Sequence, residues 1–144
     1  YLPCILVSDM RQVMAPLADR YYGHPSGLLS VIGITGTKGK SSTTYYLKYI
    51  LDEYAAQEGR GESGVISSID TYDGVERFES HLTTPEPLDL QRHFAHAVAA
   101  GIPYLTMEVS SQALKYHRTL CTRFAAACFL NIGLDHISPI DTPL

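Results

Sequence analysis

One stretch constrains the fold of this chain more than any other. An apolar run from Leu28 to Thr35 passes directly into Gly36-Thr37-Lys38-Gly39-Lys40-Ser41, and from there into a segment with large side chains at helical spacing. A run of Leu, Val and Ile without polar alternation reads as a strand buried on both faces, the pattern of a parallel sheet covered by helices. A glycine loop between such a strand and a helix gathers backbone N–H groups and the positive end of the helix around one point, which suits a phosphate. Lys40 can reach the outer phosphates of a nucleotide, and the Ser41 hydroxyl suits Mg²⁺. The loop is a variant: the pattern G-x-x-x-x-G-K-[ST] would need glycine at Ile34, and the glycines stand instead at Gly33 and Gly36. The segment therefore predicts binding of ATP or GTP.

The rest of the chain is consistent with that frame. Ser8 or Asp9 can cap a helix with apolar positions Met10, Val13, Met14, Leu17 and Tyr21, stopped by Gly23. His24-Pro25-Ser26-Gly27 reads as a linker, which divides the chain into residues 1–24, the tail of one domain, and 25–144, a second domain. After the loop, Ser41 to about Tyr54 is predicted helical through Tyr45, Leu47, Tyr49, Ile50, Leu51 and Tyr54, with Gly59-Arg60-Gly61 as its end. Val65, Ile66 and Ile69 mark a second strand, and Tyr72-Asp73-Gly74-Val75 a turn into a short return segment ending near His81-Leu82. Thr83-Thr84-Pro85-Glu86-Pro87 opens a helix to Ala100, with Leu88, Leu90, Phe94, Ala97 and Val98 inside and Gly101 as its stop. Tyr104 to Val109 is a third strand, Ser110 to about His117 a short helix, and Phe124 to Ile132 a fourth strand. Strands alternating with helices predict a three-layer α/β fold with a mainly parallel sheet.

A chain of 144 residues can bury roughly two thirds of its unfolded surface, and 45% hydrophobic with 18% charged residues lies in the globular range. No stretch reaches the ~18 apolar residues a membrane helix needs, so no membrane partner is expected. The net charge of −4 disfavours broad binding to nucleic acid, which rests on clustered Lys and Arg. Cys4, Cys121 and Cys128 are odd in number, form no C-x-x-C pair, and are read as buried thiols in a reducing compartment. With no signal pattern at its start the chain is expected to be cytoplasmic. Tyr1 at the beginning and Ser138 to Leu144 at the end suggest a piece of a longer polypeptide.

Mg²⁺ beside a phosphate loop takes hard oxygen ligands, commonly a carboxylate from the end of a neighbouring strand. Glu108 fills that place, at the carboxyl end of an otherwise apolar strand where a lone carboxylate is costly unless paired with a cation. Asp135 and His136 follow the fourth strand and are predicted to project toward the same crevice. His24, His81, His93, His96 and His117 carry less expectation of function.

Three segments together, Gly33 to Ser42, Met107-Glu-Val-Ser-Ser111 and Leu130-Asn-Ile-Gly-Leu-Asp-His136, resemble the Mur ligases of bacterial cell-wall synthesis. Thr83-Thr84-Pro85, Ser110-Ser111-Gln112-Ala113-Leu114 and His117-Arg118 look most like the MurE type, which extends a UDP-N-acetylmuramoyl dipeptide to a tripeptide. The resemblance implies the end of an N-terminal domain up to about Gly23 and most of a central ATPase domain after it. It implies a peptidoglycan-precursor ligase that uses ATP to activate a muramoyl-peptide carboxylate and joins it to an amino acid. By the same resemblance Gly36, Thr37, Lys38, Gly39, Lys40, Ser41 and Ser42 hold the ATP phosphates; Ser41, Glu108 and His136 hold Mg²⁺ or lie near it. Lys40, Glu108 and His136 are then the catalytic set, and Thr83, Thr84, Ser110 and Arg118 hold the muramoyl peptide. Hydroxyls and an Arg fork suit such an anionic substrate.

Lys38 stands where the family often has Asn, Gln112 where MurE types often have His, and Asp141-Thr142-Pro143 blurs the end of the Asp-His motif. The family's carbamylated lysine would lie beyond Leu144, as would the domain that binds the incoming amino acid, so these residues alone are expected not to ligate. Two other readings stay open: a folylpolyglutamate synthase, disfavoured by the Thr83 and Ser110 segments, and a non-catalytic nucleotide-binding module, disfavoured by intact Lys40, Ser41 and Glu108.

Overall fold

A computed structural model of the chain describes residues 4–134. Helix α1 (Met10–Tyr21) starts on Asp9, whose carboxylate accepts from the Arg11 N–H at 2.9 Å, and ends before Gly23 at φ 76°. A single 3₁₀ turn, Pro25–Gly27, leads to β1 (Val31–Thr35), the phosphate loop and α2 (Lys40–Gln57). Then come β2 (Gly64–Ile66), the hairpin β3 (Asp70–Tyr72) and β4 (Arg77–Glu79), α3 (Pro87–Ala99), β5 (Leu105–Glu108), α4 (Ser111–Lys115) and β6 (Phe124–Phe129).

The six strands form one sheet in the order β4-β3-β2-β5-β1-β6. The four that alternate with helices, β2, β5, β1 and β6, run parallel, and the short hairpin adds β3 and β4 antiparallel at one edge. This is the α/β fold with a mainly parallel sheet that the alternation of elements predicts. In β5 the two faces separate by period two. Leu105 and Met107 join Leu90, Phe94 and Ala97 of α3, with Val31 and Ile66, in the main apolar core. Thr106 and Glu108 are also buried but point to the other face, the side on which α2 lies. Helix α1 packs in turn on α3.

The large side chains that mark α2 as a helix do not supply its buried residues: Tyr46, Tyr49, Ile50 and Tyr54 are exposed, and Thr44, Lys48 and Ala55 are buried. Lys48 is tolerated there because its ammonium donates to Asp52 at 2.6 Å and Glu62 at 2.9 Å. Burial works to strip its proton, but those two bonds outweigh it and hold its pKa above the ordinary value. Asp52 also accepts from the Ser63 N–H at 2.6 Å, so the network ties α2 to the start of β2. The expectation of buried thiols fails: Cys4, Cys121 and Cys128 lie on the surface rather than in the core. Cys128 lies on β6, a sheet edge on which residues 125–129 are all exposed.

Candidate functional site

The parallel strands bring their carboxyl ends to one side, and the register sets Ile34 opposite both Glu108 and Cys128. The phosphate loop, the residues after β5 and the residues after β6 therefore meet. The loop is shaped by glycine. Gly36 has φ 144°, and a Cβ there would sit 3.1 Å from the backbone of Asn131; Gly39, at φ 85°, is the N-cap of α2 and offers no capping side chain. The first N–H groups of an 18-residue helix thus remain for a ligand.

Asn131 holds the loop from the other side. Its side chain accepts from the Lys38 N–H at 3.0 Å and donates to the Lys38 carbonyl at 3.0 Å, while its own carbonyl accepts from the Thr37 N–H at 3.1 Å. Lys40 folds back over the loop, donating from Nζ to the carbonyls of Gly36 at 2.8 Å and Thr37 at 3.3 Å. Lys38, Gly39 and Ser42 lie on the exposed side of the turn.

Glu108 is buried to 1% exposure at the end of β5. Its Oε1 accepts from the Ser68 N–H at 2.9 Å and from the Ser68 hydroxyl at 3.2 Å, and the same hydroxyl lies 3.1 Å from Ser41 Oγ. Ser68 thus joins the serine of the loop to the carboxylate of the neighbouring strand. Its position is fixed by Ser67, whose hydroxyl accepts from the Ile69 and Asp70 N–H groups at 3.0 and 3.1 Å. It is fixed also by Tyr45 of α2, which donates to Asp70; burial first, and that bond second, push the phenol up to about 12.

A cleft of about 450 Å³ opens between Gly36, Thr37 and Lys40 on one wall and Thr83, Ser110 and Arg118 on the other. Arg118 donates to the Thr84 carbonyl at 3.2 Å and pairs with Glu86 at 2.7 Å. Ser110 is the N-cap of α4, accepting from the Ala113 N–H at 3.1 Å. Thr84 is fully buried behind the wall: its hydroxyl donates to the Glu108 carbonyl at 2.9 Å and accepts from the Ser110 N–H at 3.1 Å. It sets the relative position of Glu108 and Ser110. Asp135 and His136 lie outside the described residues.

The donor set fits a phosphate with a hard divalent cation: uncapped helix N–H groups, an ammonium held only on carbonyls, and a hydroxyl and a buried carboxylate facing one shared serine. The sequence reading gave no role to Ser68 or to Asn131 by itself. The signals for Asn131 were its place just after an apolar strand and within the Leu130 to His136 segment that resembles the Mur ligases.

Residues 34–142 match the Mur ligase middle domain. The chain is 46% identical over 140 residues to the UDP-N-acetylmuramoyl-L-alanyl-D-glutamate–L-lysine ligase of Enterococcus faecalis, covering 96% of this chain and 27% of the relative. It is 44% identical over 142 residues to the UDP-N-acetylmuramyl-tripeptide synthetase of Bifidobacterium longum, covering 98% and 27%. A synthetase of the same name from Lactococcus lactis subsp. cremoris is 42% identical over 143 residues, covering 99% and 29%. The chain thus spans little more than a quarter of the length of these relatives. Among the described residues no helix is long and apolar enough to cross a membrane. With its variant phosphate loop, its mainly parallel sheet and a domain match over most of its length, the chain belongs to the Mur ligase family.

Proposed function

We infer that the chain is the ATP-binding part of a cytoplasmic ligase that extends a UDP-N-acetylmuramoyl dipeptide by one amino acid in peptidoglycan precursor synthesis. In this reading residues 1–24 are the tail of an N-terminal domain and 25–144 belong to the central domain. The observation that carries it is the cleft itself, with a phosphate cradle on one wall and an Arg, a Ser and a Thr facing it on the other.

Gly36 to Ser42 bind the nucleotide phosphates through backbone N–H groups and the helix end. Lys40 trades its two carbonyl partners for the outer phosphate oxygens, so it needs no new path to reach them. Ser41 and Glu108 would hold Mg²⁺, which supplies positive charge to the phosphates of ATP. Arg118, already turned toward the cleft by Thr84 and Glu86, and the Thr83 and Ser110 hydroxyls orient the muramoyl-peptide carboxylate toward that phosphate. Phosphoryl transfer from ATP to the carboxylate gives an acyl phosphate and ADP, and attack by the amino acid's amine forms the amide and releases phosphate and a proton. His136 belongs to the same proposed set.

The test is phosphate release by the chain within a polypeptide as long as its relatives, given UDP-muramoyl dipeptide, ATP and Mg²⁺. Lysine, diaminopimelate and ornithine are offered in turn, beside a folate with glutamate. Arg118→Ala should raise the KM for the muramoyl peptide roughly ten- to hundredfold and leave the KM for ATP nearly unchanged. Turnover with the folate alone would overturn the cell-wall reading and spare the ATP site. Turnover with neither would leave a nucleotide-binding module.

A further inference from the structure

Away from the cleft, the β3–β4 turn and helix α3 bring together Asp73, Glu76, His93 and His96. One ligand atom from each can be chosen so that all lie within 4.8 Å of one another. The grouping follows from two local patterns. His93 and His96 are three residues apart and so share a face of α3. Asp73 opens a turn closed by Gly74 at φ 88°, where a Cβ would collide with Ala100 at 2.5 Å, so the turn is pressed against the end of the same helix.

Within the turn, Asp73 Oδ1 accepts from the Val75 and Glu76 N–H groups at 3.0 and 2.7 Å. That fixes the carboxylate, and its Oδ2 then faces two imidazoles, His93 Nδ1 at 2.7 Å and His96 Nδ1 at 2.9 Å. Glu76 Oε2 stands 3.9 Å from His93 Nδ1. We propose that this cluster is a site for a divalent transition-metal ion of the zinc class, with Asp73, Glu76, His93 and His96 as its four ligands.

Two imidazoles with two carboxylates make a borderline donor set that zinc accepts in four-coordinate geometry and magnesium does not favour. Metal–ligand bonds of ~2.0–2.2 Å place tetrahedral neighbours roughly 3.3–3.5 Å apart. The observed separations of 2.7, 2.9 and 3.9 Å straddle that range and all four ligand atoms lie within 4.8 Å of one another, so an ion needs shifts on the order of an ångström on that scale. Asp73 and His93 are fully buried and form the floor, whereas Glu76 and His96 are part-exposed and leave a way in from solvent. A structural pin needs only one imidazole on Asp73; a second imidazole and a second carboxylate on the open side are what an ion would use.

Among the described residues the cation that faces the cluster is Arg92. Arg92 Nη1 holds Glu76 Oε2 at 2.7 Å, but its Nη2 is 3.6 Å from Asp89, so the guanidinium has another carboxylate to take when Glu76 turns to a metal. The Phe78 ring, 5.7 Å from His93 between centroids, supplies an apolar wall that limits water.

The test is a Co²⁺ titration of the chain carrying Cys4→Ser, Cys121→Ser and Cys128→Ser, with Mg²⁺ in excess. These changes keep surface thiols and the phosphate loop out of the reading. The expected result is saturable binding of one equivalent, with the intense visible bands of four-coordinate Co²⁺, reversed by Zn²⁺. Losing an outer-shell partner of a metal site costs ~10–100-fold in affinity, so His96→Ala and Glu76→Gln should each cost at least about tenfold. Both positions are part-exposed, and circular dichroism establishes that each variant is folded. A spectrum of the hydrated ion alone, or equal affinity in the parent and in folded His96→Ala, overturns the proposal.

Discussion

The phosphate loop and the β3–β4 turn are both tightened by glycine at positive φ, Gly36 and Gly39 in one and Gly74 in the other. They dispose of their polar groups in opposite ways. In the loop, side chains act on the backbone from outside: Asn131 grips Lys38, Lys40 rests on two carbonyls, and the helix N–H groups are left uncapped. In the turn, a buried carboxylate stands at the centre and draws two N–H groups and two imidazoles toward itself. A loop built the first way can lose a side chain and keep its shape. A turn built the second way cannot, because removing its centre leaves buried donors without partners.

The sharpest way to break this contrast is Lys40→Ala. Turnover of the longer ligase should fall by roughly 10²–10³, because a phosphate clamp acts on charge that develops in the transition state. The melting temperature should move by no more than a few degrees, measured beside phosphate release. A large loss of stability would mean that the loop, like the turn, depends on its side chain.

Asp73→Asn should do the reverse. It leaves the turn's geometry but halves its acceptor strength, and a cost of about 2–4 kcal/mol is expected from breaking a buried charged network. Nucleotide affinity in the folded variant, followed by calorimetry, should match the parent. A matching affinity with an unchanged denaturant midpoint would show that the turn is held by backbone alone.

The smallest effect separates a third region, the Lys48-Asp52-Glu62 network, which is built inward like the turn. Burial alone would raise the pKa of Asp52, but Lys48 and the Ser63 N–H pull it below its ordinary 3.8; Glu62 is likewise held down, by Arg77 and Lys48. Their contribution is therefore present above the unfolded pKa values and is lost as pH falls through the lower folded ones. Lys48 is raised, so its share is present below 10.5 and is lost as pH climbs through its folded value. Melting temperature should be flat from about pH 5 to about pH 9 and fall at both ends. In Asp52→Asn the acid fall should be shallower.

Much of the fold was legible because it rests on local signals. Asp9 caps α1, Pro87 opens α3 at its first turn, Gly101 at φ 69° closes it, and the apolar β1 leads straight into the glycine loop. The inner face of α2 was not legible. Of the two partners that hold buried Lys48, Asp52 lies one helical turn on, but Glu62 is fourteen residues away, and no window of helical spacing contains it. The same limit hid Ser68, whose contact with Glu108 spans forty residues. His93 carries little signal in the sequence because a single His says little until its neighbours in space are known, and its closest partner, Asp73, comes from a different element. Leu88 was expected inside α3 and is exposed, since the face of that helix is set by Leu90, Phe94 and Ala97.

Asn131 bears on more than the shape of the loop. It sits just past the end of β6, and three hydrogen bonds tie it to Thr37 and Lys38, while Thr37 Oγ1 also accepts from the Gly133 N–H at 2.9 Å. The loop and the strand exit are thus coupled like two links of one chain. An anion that drew on the loop would therefore pull on the strand exit as well, through one main-chain bond from Thr37 to Asn131 and through the side chains of Asn131 and Thr37.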